Sequence, residues 1–169
     1  AVLRPDTVGI GYTAFSNTKN LVSVTLPSSL KHIVFNAFST CYKLVEVINL
    51  SDLNIEAGAS SNGYVAYYAI NVADSGSMIY ILDNYLFYTY NEKNYLISYV
   101  GSDNDLVLPE SFMGETYEIH DFAFYHNFNL LSVVIPDNVT GIGNYAFSTC
   151  LALEIVNIGN GVKYIGDRA

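Results

Sequence analysis

Apolar and polar positions alternate along this chain in short blocks, and the blocks return every 23 residues. One block reads Leu-x-x-Val-x-(Leu/Ile)-Pro, as at residues 21–27 and 130–136, with Gly159 standing for Pro after residues 153–158. Alternation of β-branched residues over five to seven positions marks a strand with one face toward a core. The closing proline lacks the N–H a ladder needs and ends the strand. The other block reads Ile-x-x-x-Ala-Phe. It begins at Ile10, Ile33, Ile119 and Ile142, and a last copy starts at Ile165 and stops at Ala169. The polar residues after Ala-Phe suit one short helical turn, with the Phe as an inward wedge. Ser28-Ser29, Asp137-Asn138 and Gly159-Asn160-Gly161 between blocks are turn chemistry.

A fixed period of this length is the signature of a solenoid, whose units bury their apolar faces only by stacking on one another. The expected fold is a β-rich solenoid with short helical turns and a parallel sheet. Leu, Val and Ile of each strand point inward. Alternate positions point outward: Ser23 and Thr25, Glu46 and Ile48, Ser132 and Val134, Ile155 and Asn157. Residues 44–50 have no Pro and place their last Leu one position late, which predicts a bulge or register change there.

The period holds over residues 1–50 and 105–169 and fails over 51–104. Ala37 and Ala123 lie 86 residues apart where three periods make 69, so 17 residues are extra. Residues 63–69 read as a longer helical substitute for the Ile-x-x-x-Ala-Phe turn, and 78–81 as a short strand. Residues 85–90 and 95–100 flank Asn91-Glu92-Lys93-Asn94, a β-hairpin signal. No linker composition separates these parts, so one continuous body, 1–169, with an inserted hairpin at 85–100 is expected.

Half the residues are apolar, enough for a large core. Uninterrupted apolar runs stay below the length that spans a membrane. Without an initiating Met or an apolar leader, the chain reads as a piece of a longer protein. The net charge of -9 argues against nucleic acid as a partner. Eleven of the sixteen acids fall in residues 51–121 with one base, Lys93. That acidic middle is either a solubilising surface or a patch that recruits a basic partner or a cation. Cys41 and Cys150 share one repeat position, roughly four repeats apart. A mutual disulfide is therefore geometrically implausible, and both read as buried free thiols.

Residues 142–158, Ile-Gly-Asn-Tyr-Ala-Phe-Ser-Thr-Cys-Leu-Ala-Leu-Glu-Ile-Val-Asn-Ile, resemble the repeat of the BspA-like (Treponema-type) leucine-rich repeat family, as do residues 136–143. The resemblance covers about two thirds of the chain. It implies a leucine-rich-repeat solenoid from a secreted or cell-surface bacterial protein, with a role in adhesion. It carries over no catalytic residue and names no partner.

Chemistry is sparse in the sequence. His32, His120 and His126 have no zinc-ligand spacing with each other or with the cysteines. There is no Gly-x-Ser-x-Gly elbow and no phosphate loop. Gly101-Ser102-Asp103-Asn104-Asp105 gathers oxygen ligands but runs straight into a strand, so an Asx-rich turn is expected rather than a calcium loop. No catalytic residue, metal site or cofactor is assigned. Nine of fifteen tyrosines lie in 64–99. Either both faces of the hairpin are covered, or the tyrosines form a platform for a glycan ring or a peptide. The leading expectation is a non-enzymatic recognition module for a host or matrix protein or a glycan, with no span of a membrane. Its candidate contacts are Tyr85, Tyr88, Tyr90, Tyr95, Tyr99, Glu46, Ile48, Ser132, Val134 and Asn157. The alternative is a structural spacer that holds another domain away from the cell.

Overall fold

The computed structural model describes all 169 residues, and they form a leucine-rich-repeat solenoid of parallel sheets with an inserted antiparallel hairpin. Two compact units, Ala1–Ser77 and Met78–Ala169, each enclose a core of their own.

In the first unit, β1 (Gly9–Ile10) pairs in parallel with β3 (His32–Ile33). A second parallel sheet has the order β2 (Ser23–Leu26), β4 (Glu46–Asn49) and β5 (Asn71–Ala73). Val24, Leu26, Leu44 and Val47 point into the core with Ala37 and Phe38. The bulge expected at 44–50 is absent. Ser23 to Leu26 pair with Glu46 to Asn49 one for one. With no Pro to remove a donor, Asn49 continues the ladder opposite Leu26, and the late Leu50 is left exposed. The Asn49 side chain then ends the strand itself, donating to the Leu53 carbonyl at 2.9 Å and accepting from Ser51 N and Oγ.

In the second unit, β9 (Asp105–Val107), β11 (Ser132–Ile135) and β13 (Ile155–Ile158) form a parallel sheet in unbroken register. A mixed sheet has the order β12 (Val139–Ile142), β10 (Tyr117–Ile119), β8 (Lys93–Tyr99), β7 (Tyr85–Tyr90) and β6 (Ile79–Leu82). The predicted hairpin is thus two strands of an antiparallel three-stranded meander. Both of its turns have two central residues with positive φ, Asp83-Asn84 (47° and 68°) and Asn91-Glu92 (49° and 62°). That is the turn whose twist matches paired strands. Strand β8 joins the insert to the array by pairing in parallel with β10.

The short helical turns expected at Ala-Phe and the polar residues after it are instead consecutive tight turns. Thr13, Asn36, Phe122, Tyr145 and Arg168 share one repeat position and all have φ between 54° and 60°. A left-handed residue there closes the turn and stops any helix. Residues 63–69 likewise carry only a three-residue 3-10 turn, Asn62–Tyr64. These turns are bonded repeat to repeat: Phe15 N–H donates to the Ala37 carbonyl, Phe38 to Gly63, Phe124 to Ala146 and Phe147 to Ala169, at 2.8 to 3.0 Å. Cys41 is buried and Cys150 half-buried; neither is in a disulfide, and their thiols donate to the carbonyls of Phe15 and Phe124 at 3.0 and 3.2 Å.

Candidate functional site

The candidate contacts named from the sequence divide by burial. Tyr85, Tyr88 and Glu46 are buried, at 6%, 0% and 1% exposure. Tyr85 and Tyr88 therefore offer no open platform. Residues 85–88 of β7 are buried on both faces, and on the Phe87 side that ring stacks on Phe112 at 4.3 Å and meets Tyr117 edge-on at 5.1 Å. Tyr85 donates to the Val107 carbonyl at 3.0 Å, and burial pushes its phenol up to about 12. Tyr90, Tyr95 and Tyr99 stay half-buried. Tyr99 is held at the rim, donating to Asp103 Oδ2 at 2.6 Å, which raises its pKa. Asp103 and Asp105 are thereby used in side-chain hydrogen bonds, Asp105 accepting from Ser132 Oγ. Glu46 is covered because Ser77 reaches over it. The carboxylate Oε2 accepts from Ser23 Oγ and Ser77 Oγ, each at 2.8 Å. Ile48 remains half-buried on the same strand.

The outward positions of β9, β11 and β13 do form one surface. Register places Asp105, Ser132 and Ile155 in one row and Val107, Val134 and Asn157 in the next. Pleating sends both rows to the face opposite Leu106, Val133 and Ile135, which are buried. Three of these side chains are aliphatic and open: Val107 at 66% exposure, Ile155 at 55% and Val134 at 37%. A groove of about 320 Å³ runs along the end of this face, bordered by Val134, Pro136 and Asn157 and by the carboxylates Glu110 and Asp137. The face is thus a small aliphatic strip with acids at its margin. The sequence named Ser132, Val134 and Asn157; it did not name Val107, whose outward parity in the residue 105–108 strand was legible by the same rule.

A second grouping was not foreseen at all. On the outward face of the mixed sheet, Tyr95 of β8 lies opposite Glu118 of β10, which lies opposite Gly141 of β12. Tyr164 rests over Gly141, where a methyl group would collide with its ring. From there the Tyr164 hydroxyl donates to Glu118 Oε2 at 2.7 Å. Burial, then the bond to Glu118, raises the Tyr164 phenol well above its ordinary value. Tyr95 is raised in the same direction by burial and by Glu118. His120, just past the end of β10, meets the Tyr95 ring edge-on at 5.6 Å. Burial lowers its pKa, against the opposing pull of Asp121, whose carbonyl bonds Nδ1 at 3.1 Å.

The Ile-x-x-x-Ala-Phe turns, the parallel registers and the outward faces are what a repeat family would share. The model of the BspA type leucine rich repeat region matches residues 2–98 and 111–169 in six copies. The chain belongs to that family. Among solved structures, the chain is similar to a leucine-rich repeat protein from Bacteroides capillosus. It is 24% identical with a TM-score of 0.48, over 54% of this chain and 72% of that one. A leucine rich cell surface protein from Faecalibacterium prausnitzii is 22% identical with a TM-score of 0.50, over 88% of this chain and 44% of that one. The pneumococcal vaccine antigen PcpA is 20% identical with a TM-score of 0.49, over 85% of this chain and 46% of that one. This chain therefore spans less than half the length of the latter two. No curated protein matches it significantly. No helix is long and apolar enough to cross a membrane.

Proposed function

We propose that this BspA-type chain is a non-enzymatic recognition module of a secreted or cell-surface bacterial protein. It binds a protein partner through the outward face of β9, β11 and β13. The observation that carries this reading is the exposed strip of Val107, Val134 and Ile155 beside a groove edged by Glu110 and Asp137. The exposed parts of these aliphatic side chains are stabilised only when something covers them. Acids at the margin favour a partner with lysine or arginine around an aliphatic centre. A spacer would do as well with polar residues at all these positions. Placement at the cell surface draws support from the family and from the Faecalibacterium protein described as a cell surface protein.

The test is a binding screen of this chain against immobilised extracellular-matrix proteins and glycans at low and at physiological salt. A protein ligand that still binds at physiological salt supports the reading. Binding at low salt only reports diffuse attraction to the acidic surface, and it would count against a specific site.

A further inference from the structure

We infer that Glu118, between the rings of Tyr95 and Tyr164, is a receiving site for an arginine side chain of a partner protein. The site lies on the mixed sheet, apart from the β9, β11 and β13 face, so it stands or falls independently of the proposal above.

The geometry supplies each contact such a guest needs. Glu118 is half-buried, and only its Oε2 is used, by the Tyr164 hydroxyl. It makes no ion pair, although Lys93 borders the same groove. A cation held against a partly covered carboxylate gains a charge-assisted hydrogen bond. Phenol rings stand at its two sides: Tyr95 on the neighbouring strand and Tyr164 above Gly141, the latter 47% exposed. Ring faces attract a guanidinium, whose planar and weakly hydrated head stacks where an ammonium does not. His120 is kept neutral by burial and adds no competing positive charge. Gly141 is what makes the arrangement possible, since any side chain there would displace Tyr164.

The same mode already exists within the chain. Arg168 sits with its guanidinium carbon 5.7 Å from the centre of the Tyr145 ring, and its Nη1 donates to the Tyr145 hydroxyl at 3.2 Å. Charge on this unit points the same way. Residues 78–169 hold eleven acids and three bases, against five and four in residues 1–77. Long-range attraction therefore brings cationic segments toward the unit that carries the site.

The experiment is a titration of the tyrosine-labelled protein with the peptide acetyl-Gly-Arg-Gly-amide, read by the ring resonances of Tyr95 and Tyr164. Saturable shifts at both rings are expected. Glu118→Gln keeps the side-chain shape and should weaken binding about tenfold, the scale of one desolvated ion pair. Tyr164→Phe frees Oε2 and keeps the ring, so binding should be retained. Tyr95→Leu removes a ring without touching the charge and should weaken binding, which keeps the test decisive if Glu118→Gln fails to fold. Equal affinity in wild type and Glu118→Gln overturns the assignment. So does an absence of saturable shifts, or a neutral disaccharide moving the same rings at lower concentration.

Discussion

Phe124 and Phe147, one repeat apart, stack face to face with ring centroids 4.8 Å apart and planes 4° from parallel. The separation equals the spacing of neighbouring strands in a sheet. Phe15 and Phe38 repeat the relationship at 4.9 Å and 9°. Within each unit the Phe of Ala-Phe therefore stacks as a short column, and its members support each other across repeats. Phe124 is buried at 1% exposure. Phe124→Ala should lower unfolding stability by about 3–5 kcal/mol, the cost of deleting a buried aromatic ring. Urea unfolding checks this; a loss below about 1 kcal/mol would mean the column carries little of the packing.

The Gly of Ile-Gly is needed at Gly143 for a steric reason. The Asp121 carboxylate reaches over from the preceding repeat and caps the next turn, accepting from Asn144 N at 2.6 Å and from Asn144 Nδ2 at 3.2 Å. Asn144 then accepts from Asp167 N at 2.8 Å. A methyl group on Gly143 would collide with Asp121. Gly143→Ala should cost about 1–3 kcal/mol, as overpacking does. At Gly11 an added methyl meets nothing, so Gly11→Ala should leave the melting temperature nearly unchanged. Equal effects at the two glycines would contradict the capping column.

Alkaline titration should destabilise the fold in a definite window. Tyr85 is raised to about 12 by burial, then by the nearby Tyr99 and acids. An unfolded tyrosine ionises near pH 10. Between these values the unfolded chain has lost the proton and the folded one keeps it, so stability falls as pH rises. Below about pH 10 the contribution is fully present. Melting temperatures measured from pH 9 to 12 should decline, and Tyr85→Phe should show a shallower decline from a lower start. A slope unchanged by the substitution would remove Tyr85 as a cause.

Acid should act through His120. Burial holds it below the ordinary histidine value. Below about pH 6.5 the unfolded chain takes up a proton that the folded one resists, so stability falls as pH drops. The His120 ring carbon resonance followed by NMR should titrate below about pH 6.5, the ordinary histidine value. Titration at or above about pH 6.5 would contradict the buried, neutral assignment.

The repeat and its strands were legible because 23-residue spacing places identical apolar positions on top of one another; Ile10 pairs with Ile33, and Ile119 with Ile142. Turn conformation was not. Ala-Phe and polar neighbours are compatible with a helical turn, and only the stack forces Thr13 and Phe122 into left-handed φ. The short strand expected at 78–81 is β6, but its pairing with β7 was not foreseen, although Asp83-Asn84 is as plain a two-residue turn as Asn91-Glu92. Glu46 reads as outward by parity and is outward, yet Ser77, 31 residues away, closes over it. The Tyr164–Glu118 contact spans 46 residues and depends on the missing side chain of Gly141. Alternation within one strand cannot reveal contacts of that kind.

Recognition through the β9, β11 and β13 face is tested most directly by a single added charge at its centre. Binding of Val134→Lys and wild type to a matrix-protein ligand would be compared at physiological salt. Lysine at this 37%-exposed position leaves the core side of β11 intact, and the melting temperature should hold. Affinity should fall by about tenfold or more if the strip is covered by a basic and aliphatic partner. Undiminished affinity in a folded Val134→Lys protein would contradict the account and place recognition elsewhere.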